Sequence, residues 1–270
     1  MIVLEILGWA VGGVVGLLFL FLLFTCFCSL FINPKKKYEK DSPFFRGLYE
    51  IWIVIVMIVC RVKVVTKGFE MIPEGRYLIV ANHCSNFDPL VIYRVLPKRQ
   101  LAFVSKESNL KIPFFGRIAW RCGCLPINRE DPREALRTIN EAVARMKDDS
   151  FSYGIYPEGT RNRTDATLLP FRPGAFKIAQ YAGTPIVVMV EKHTKDVVKN
   201  WPFRRTVIEL EVLEVISKEE AVKAHSVEIS ARVEQELRES LENEKNADSP
   251  EAVKNLSTND NPPTGEPNED

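Results

Sequence analysis

The chain has 270 residues, of which 46% are apolar and 26% charged, with 36 lysines and arginines against 35 acids. An ordinary apolar fraction excludes a chain disordered throughout, and a formal net charge of +1 gives no support to a nucleic-acid binder. The length suits one large domain or two small ones.

The charge is not evenly spread. Residues 243–270 hold seven acids and two lysines, a net of −5, so residues 1–242 carry +6. At the other end, residues 6–32 contain no charge and are rich in Leu, Val and Phe. As a helix that run would be roughly 40 Å long, more than the ~30 Å hydrocarbon core requires. It is too long for the apolar part of a cleaved leader, and neither a preceding cation nor a small-x-small site accompanies it. A transmembrane or membrane-embedded helix is expected over 1–33. Lys35, Lys36, Lys37 and Lys40 follow at once and predict a cytoplasmic flank. A second apolar run, 51–60, makes only ~15 Å of helix, too short to cross. With Arg46, Tyr49, Glu50 and Trp52 before or within it, the segment 34–61 reads as a basic linker and an interfacial helix. A buried strand is the alternative, because Ile and Val dominate.

From 62 to 216 short Val/Ile/Leu runs recur at 62–66, 77–81, 101–104, 124–127, 151–156, 186–190 and 207–216. Helical patterns fall between several of them. The clearest is 132–147, with Ala135, Leu136, Ile139, Val143 and Met146 on one face, Asp131 as N-cap, Pro132 at the first turn and Glu134 completing a capping-box pattern. This alternation predicts an α/β core over 62–217: a mixed, largely parallel sheet flanked by helices and preceded by N-terminal membrane-docking helices. Glu209 and Glu211 alternate with Leu210 and Val212, as on a half-exposed edge strand. Segment 218–242 reads as a charged amphipathic helix, and 243–270, with Pro250, Pro262, Pro263 and Pro267, as a disordered acidic tail. Six cysteines form no CxxC pair, so reduced thiols are expected and no metal site.

Chemistry in such sheets gathers in loops beyond strand C-termini. The loop after 77–81 holds His83 and Asp88. A histidine takes a proton near neutrality, and a carboxylate on its other ring nitrogen fixes the tautomer. Asp88 before Pro89 is equally suited to capping a helix, and the two roles can coexist. The loop after 151–156 reads Pro157-Glu158-Gly159-Thr160-Arg161, where Gly allows close approach, Thr offers a hydroxyl and Arg a planar fork that matches phosphate. Gly154-x4-Gly159-Thr160-Arg161 comes near a P-loop but lacks its lysine. Arg129 ends the segment that begins at Gly123, and Lys106 precedes an apolar stretch at 112–116. No Gly-x-Ser-x-Gly elbow occurs.

Together these segments resemble the glycerolipid acyltransferase family, specifically its bacterial-type 1-acylglycerol-3-phosphate O-acyltransferases. Asn82-His83-x4-Asp88-Pro89, the stretch from Gly123 to Arg129, Pro157 to Arg161 (with Tyr156 where Phe is commoner) and Thr184-Pro185-Ile186-Val187-Val188 fit the family's four blocks in order. The resemblance implies an enzyme of phospholipid biosynthesis that moves a fatty acyl group from acyl carrier protein or coenzyme A to the sn-2 hydroxyl of lysophosphatidic acid, giving phosphatidic acid. It implies His83 and Asp88 as catalytic residues and Lys106, Arg129, Glu158, Gly159, Thr160 and Arg161 as substrate-binding. It implies no cofactor, membrane lipids but no nucleic acid as partners, and a cell-membrane location with the core on the cytoplasmic side. Another lysolipid acceptor, a hydrolase using the same histidine with water, and a noncatalytic lipid binder are the competing readings.

Overall fold

The computed structural model describes residues 1–96 and 100–247. Seven strands form one sheet: β1 (Val62–Lys67), β2 (Leu78–Ala81), β3 (Leu101–Lys106), β4 (Leu125–Ile127), β5 (Ser152–Ile155), β6 (Ile186–Lys192) and β7 (Thr206–Ile216). In chain order the helices are α1 (Ile2–Leu30), α2 (Pro43–Val59), α3 (Asp88–Val95), α4 (Glu107–Leu110), α5 (Phe115–Arg121), α6 (Pro132–Lys147), α7 (Lys177–Ala182), α8 (Asp196–Asn200), α9 (Lys218–Lys223) and α10 (Ser226–Ala247). Each of the seven apolar runs became a strand, and the fold is the mixed α/β class that their alternation predicts.

The strand order is β1-β7-β6-β2-β5-β3-β4. Every neighbouring pair is parallel except β6 with β7. Strands β2 and β5 are buried at every residue, as parallel strands covered on both faces must be. The parallel strands β2 to β6 all end at one edge of the molecule, where their following loops meet. Because β7 runs against β6, and β1 runs with β7, the first residues of β7 and β1 lie at that same end.

Several expectations are corrected. β7 is not an edge strand, since β1 pairs along it from Thr206 to Glu211; the alternating glutamates mark a half-open face, not an open edge. The helix expected over 218–242 is two helices, separated at Ala224 and His225. Asp131 does cap α6, accepting from the N–H groups of Arg133 and Glu134, but Glu134 turns to Asn128 (2.8 Å) and completes no box. Leu136 is exposed while Ile139, Val143 and Met146 are buried. The disordered tail expected from 243 does not begin there, since residues 243–247 close α10; residues 248–270 lie outside the described residues.

Helix α2 is a helix and not a strand, but Arg46 and Tyr49 do not sit at an outer polar rim. Both are buried. Arg46 Nε pairs with Asp41 Oδ2 at 2.8 Å, and Nη2 donates to the Cys122 carbonyl at 2.8 Å. Tyr49 packs edge-on to Tyr93, and Ile53 and Met57 complete the buried face. The opposite face of α2 is apolar and exposed. Trp52 ties α2 to α1, stacking on Phe21 and donating to Thr25 Oγ1 at 3.0 Å. Helix α1 is long and apolar enough to cross a membrane by length and composition.

Candidate active site

The loop after β2 is bound to the strand beside it before it turns. Asn82 Nδ2 donates to the Glu191 carbonyl (2.9 Å) and Asn82 Oδ1 accepts the Glu191 N–H (2.8 Å), extending the β2–β6 pairing by a side chain. His83 then projects with Nδ1 2.7 Å from Asp88 Oδ2. That same oxygen accepts the N–H groups of Cys84 (2.7 Å) and Ser85 (2.8 Å). Asp88 is fully buried and opens α3, but its side chain makes no cap on that helix. The carboxylate turns back onto the loop, so orientation of His83 replaces capping. With Nδ1 donating to Asp88, Nε2 is left as the proton acceptor.

The imidazole plane is held by a stack. Tyr156 lies parallel to His83 with centroids 4.2 Å apart, and Phe103 stacks on Tyr156 at 5.6 Å. A Cβ on Gly154 would run into the Phe103 ring, so this glycine makes room for an aromatic and not for phosphate, which disposes of the P-loop likeness. The Tyr156 hydroxyl donates to Glu191 Oε1 (3.3 Å). Burial, and then the nearby Asp88 charge, raise the Glu191 carboxyl well above the usual carboxylate range.

The loop after β5 is fastened to the His83 loop from the other side. The Asn162 N–H donates to the His83 carbonyl (2.7 Å), and Arg161 Nη1 donates to Asn86 Oδ1 (2.7 Å). Glu158 joins the two loops: Oε1 accepts the His83 N–H and Oε2 accepts the Leu169 N–H (3.1 Å). Burial raises Glu158 to about 7. Its oxygens are committed to backbone, so it shapes the site and does not hold an anion itself. Gly159 has φ +76°, and a Cβ there would stand 2.9 Å from Arg172 Nε. The glycine therefore supplies both a left-handed turn and room for a guanidinium. Thr160 is exposed at the turn.

Arg129 follows β4, partly buried, and burial with the neighbouring Arg172 charge lowers its pKa. Lys106 ends β3 exposed, in register with Ile127 of β4 and so two residues from Arg129. The structure thus joins His83, Asp88 and Glu158 by direct contacts, ties Arg161 to the same loop through Asn86, and sets Arg129 and Lys106 at the ends of β4 and β3. Arg172 and the Tyr156–Glu191 pair escaped the sequence reading. Their signals were present: a cation between Phe171 and Pro173, and an acid closing the apolar run 186–190.

Cys84 is no nucleophile. Burial, with Asp88 adding to it, pushes its thiol up to about 12. Asn82 and Cys84 also line a cavity of about 480 Å³ together with Thr167, Glu191, His193 and Lys195.

The family model described as "Acyltransferase" matches residues 63–191. The chain is 31% identical over 192 residues to the 1-acyl-sn-glycerol-3-phosphate acyltransferase of Saccharomyces cerevisiae, covering 70% of this chain and 62% of that one. It is 40% identical over 113 residues to the enzyme of that name from Escherichia coli, covering 42% of this chain and 45% of the other. The first curated relatives are matched over about three-fifths of their length, from 57% to 63%. The crystal structure of the 1-acyl-sn-glycerophosphate (LPA) acyltransferase, PlsC, from Thermotoga maritima superimposes with a TM-score of 0.63 at 23% identity, covering 82% of this chain and 87% of that one.

Proposed function

The chain belongs to the acyltransferase family, and on that premise we propose that it transfers a fatty acyl group from a thioester to the sn-2 hydroxyl of 1-acylglycerol-3-phosphate, giving phosphatidic acid. The observation that carries the reading is the His83–Asp88 contact at 2.7 Å, with the Arg161 loop hydrogen-bonded to the His83 carbonyl. A proton acceptor and an anion-binding fork are thereby built into one pair of adjoining loops.

The chemistry follows from those positions. His83 Nε2 takes the proton of the acceptor hydroxyl as its oxygen attacks the thioester carbonyl. Asp88 stabilises the imidazolium that forms. When the tetrahedral species collapses, the carbon–sulfur bond breaks and the imidazolium proton passes to the departing thiolate. An ester and a free thiol result, with no acyl-enzyme. Arg129, Arg161 and Lys106, joined by Arg172, hold the acceptor's phosphate; each charge-assisted hydrogen bond contributes about 1.5–3 kcal/mol. Glu158, Gly159 and Thr160 shape that pocket. Helix α1 anchors the protein in the cell membrane, with the basic flank and the core on the cytoplasmic side.

Product identification tests the reading: purified protein, lysophosphatidic acid, and either acyl carrier protein or coenzyme A as acyl carrier. Phosphatidic acid is the expected product with at least one donor. Free fatty acid alone would replace the transferase by a hydrolase. Acylation confined to another lysolipid would keep the chemistry and change the acceptor.

A further inference from the structure

We propose that the rim formed by the end of α2 and the loop leading from α8 into β7 is a second membrane-contact surface, suited to an anionic lipid bilayer and separate from α1. The proposal holds whichever lysolipid the site accepts.

The rim is a built piece of structure. Trp201 Nε1 donates to the Val59 carbonyl at 3.0 Å, the Thr206 N–H to the Arg61 carbonyl at 3.2 Å, and Asn200 Nδ2 to Thr206 Oγ1 at 3.0 Å. Yet the apolar side chains it carries point to solvent. Phe203 is 86% exposed, Val198 72% and Trp201 49%; beside them on α2, Ile58 is 70% exposed and Val59 52%. Solvent-facing aromatics on a hydrogen-bonded loop are costly in water and suited to the headgroup boundary.

The charges next to them along the chain have one sign. Arg61, Lys63, Lys199, Arg204 and Arg205 flank the apolar side chains in sequence, and residues 197–208 and 51–69 contain no acid. The nearest acid along the chain, Asp196, faces His193 at 3.6 Å. Long cationic side chains around apolar tips match a bilayer of anionic headgroups. The apolar surface also runs on without a break of type into the outward face of α2, where Phe44, Ile51 and Val54 are exposed. An acidic protein partner would account for the cations but not for that continuous apolar strip, so lipid is the occupant the observations favour.

Its position gives it a use. The starts of β1 and β7 lie at the sheet end where β2 to β6 terminate, which is the end that carries His83. Seating this rim on the bilayer adds a contact on the β1–β7 side of the sheet, at the end that carries the site's mouth.

The test uses the full chain in lipid nanodiscs of phosphatidylcholine with and without phosphatidylglycerol. A solvatochromic fluorescent amino acid is placed at position 203. Blue-shifted emission, quenched by brominated lipid and stronger in the anionic discs, is the expected result; aqueous emission in both discs would overturn the proposal. A kinetic arm compares Phe203→Asp and the pair R204E/R205E with wild type. KM for an acceptor presented in anionic bilayers should rise about 5- to 20-fold while turnover of a short-chain monomeric acceptor is unchanged. An unchanged bilayer KM, or a defect confined to acyl carrier protein as donor, would overturn it in favour of a solvent-exposed or protein-docking rim. The fluorescence arm needs no turnover, so it stands apart from any failure of the acyl-transfer reading.

Discussion

A single oxygen of Asp88 accepts three hydrogen bonds, from the His83 ring and from the N–H groups of Cys84 and Ser85. The carboxylate thus turns onto the ring and the loop and not onto the helix that Asp88 opens. In sequence, Asp before Pro is a cap as much as a catalytic partner, and only the direction in which the carboxylate turns decides. Asp88→Asn keeps an acceptor for the backbone donors but presents an amide N–H₂ to the ring, forcing the proton onto Nε2; kcat should fall about 10²–10⁴-fold. A loss under tenfold would remove Asp88 from the mechanism. Arg161→Ala should raise KM for the phosphate-bearing acceptor far more than KM for the thioester. Equal effects on both would make Arg161 a tie to Asn86 and no more. Glu158 carries a pH signature. Its folded pKa of about 7 lies above the ordinary 4.5, so the folded state holds the extra proton and stability falls as pH rises from about 4.5 through 7. Glu158→Gln should abolish that slope, on the order of 3 kcal/mol across the window, in denaturant titrations at pH 5 and pH 8. An identical slope in the variant would mean that the carboxyl does not titrate there. His83, Asp88 and Arg161 were visible because their residue types are scarce or punctuated by Gly and Pro. Glu191 was not, because it reaches the His83 loop from a strand remote in sequence.

At the scale of elements, local pattern carried most of the fold. Seven apolar runs became seven strands, and Asp131 with Pro132 began a helix where they should. What failed were three judgements that needed a particular neighbour. The alternation along β7 could not say that β1 lies beside it, since the same half-open face arises at an edge or next to one. The periodicity over 218–242 continued through His225, although the chain breaks the helix there to turn α9 into α10. Arg46 looked like a headgroup ligand because cations beside apolar helices usually are; in the fold it neutralises Asp41 and bonds the Cys122 carbonyl beneath α2. Arg46→Ala would leave Asp41 charged and unpaired in a buried setting. It should cost about 3–5 kcal/mol in the stability of the core. Thermal unfolding in detergent would show this as a lowered midpoint; a midpoint within a degree or two of wild type would mean that Asp41 finds water instead.

The whole molecule is organised by strand direction. Loops from β2, β3, β4 and β5 bring the base, its carboxylate and the cations to one end because those strands are parallel, and the antiparallel β7 returns a basic, aromatic rim to that same end. Composition alone carries the expectation of a membrane side: an uncharged run followed by four lysines. It could not foretell that the second helix would divide itself between core and exterior. The proposed cytoplasmic flank has a testable sidedness: in inverted membrane vesicles, protease should attack residues beyond Lys40, whereas protection of the core there would reverse the orientation. The central claim is narrower and rests on the ring at position 83. Acyl transfer from a thioester to lysophosphatidic acid, measured with purified His83→Ala beside wild type after circular dichroism shows both folded, tests it most directly. With His83 as the base, kcat falls about 10²–10⁴-fold with little change in acceptor KM; turnover within a few-fold of wild type would rule that role out.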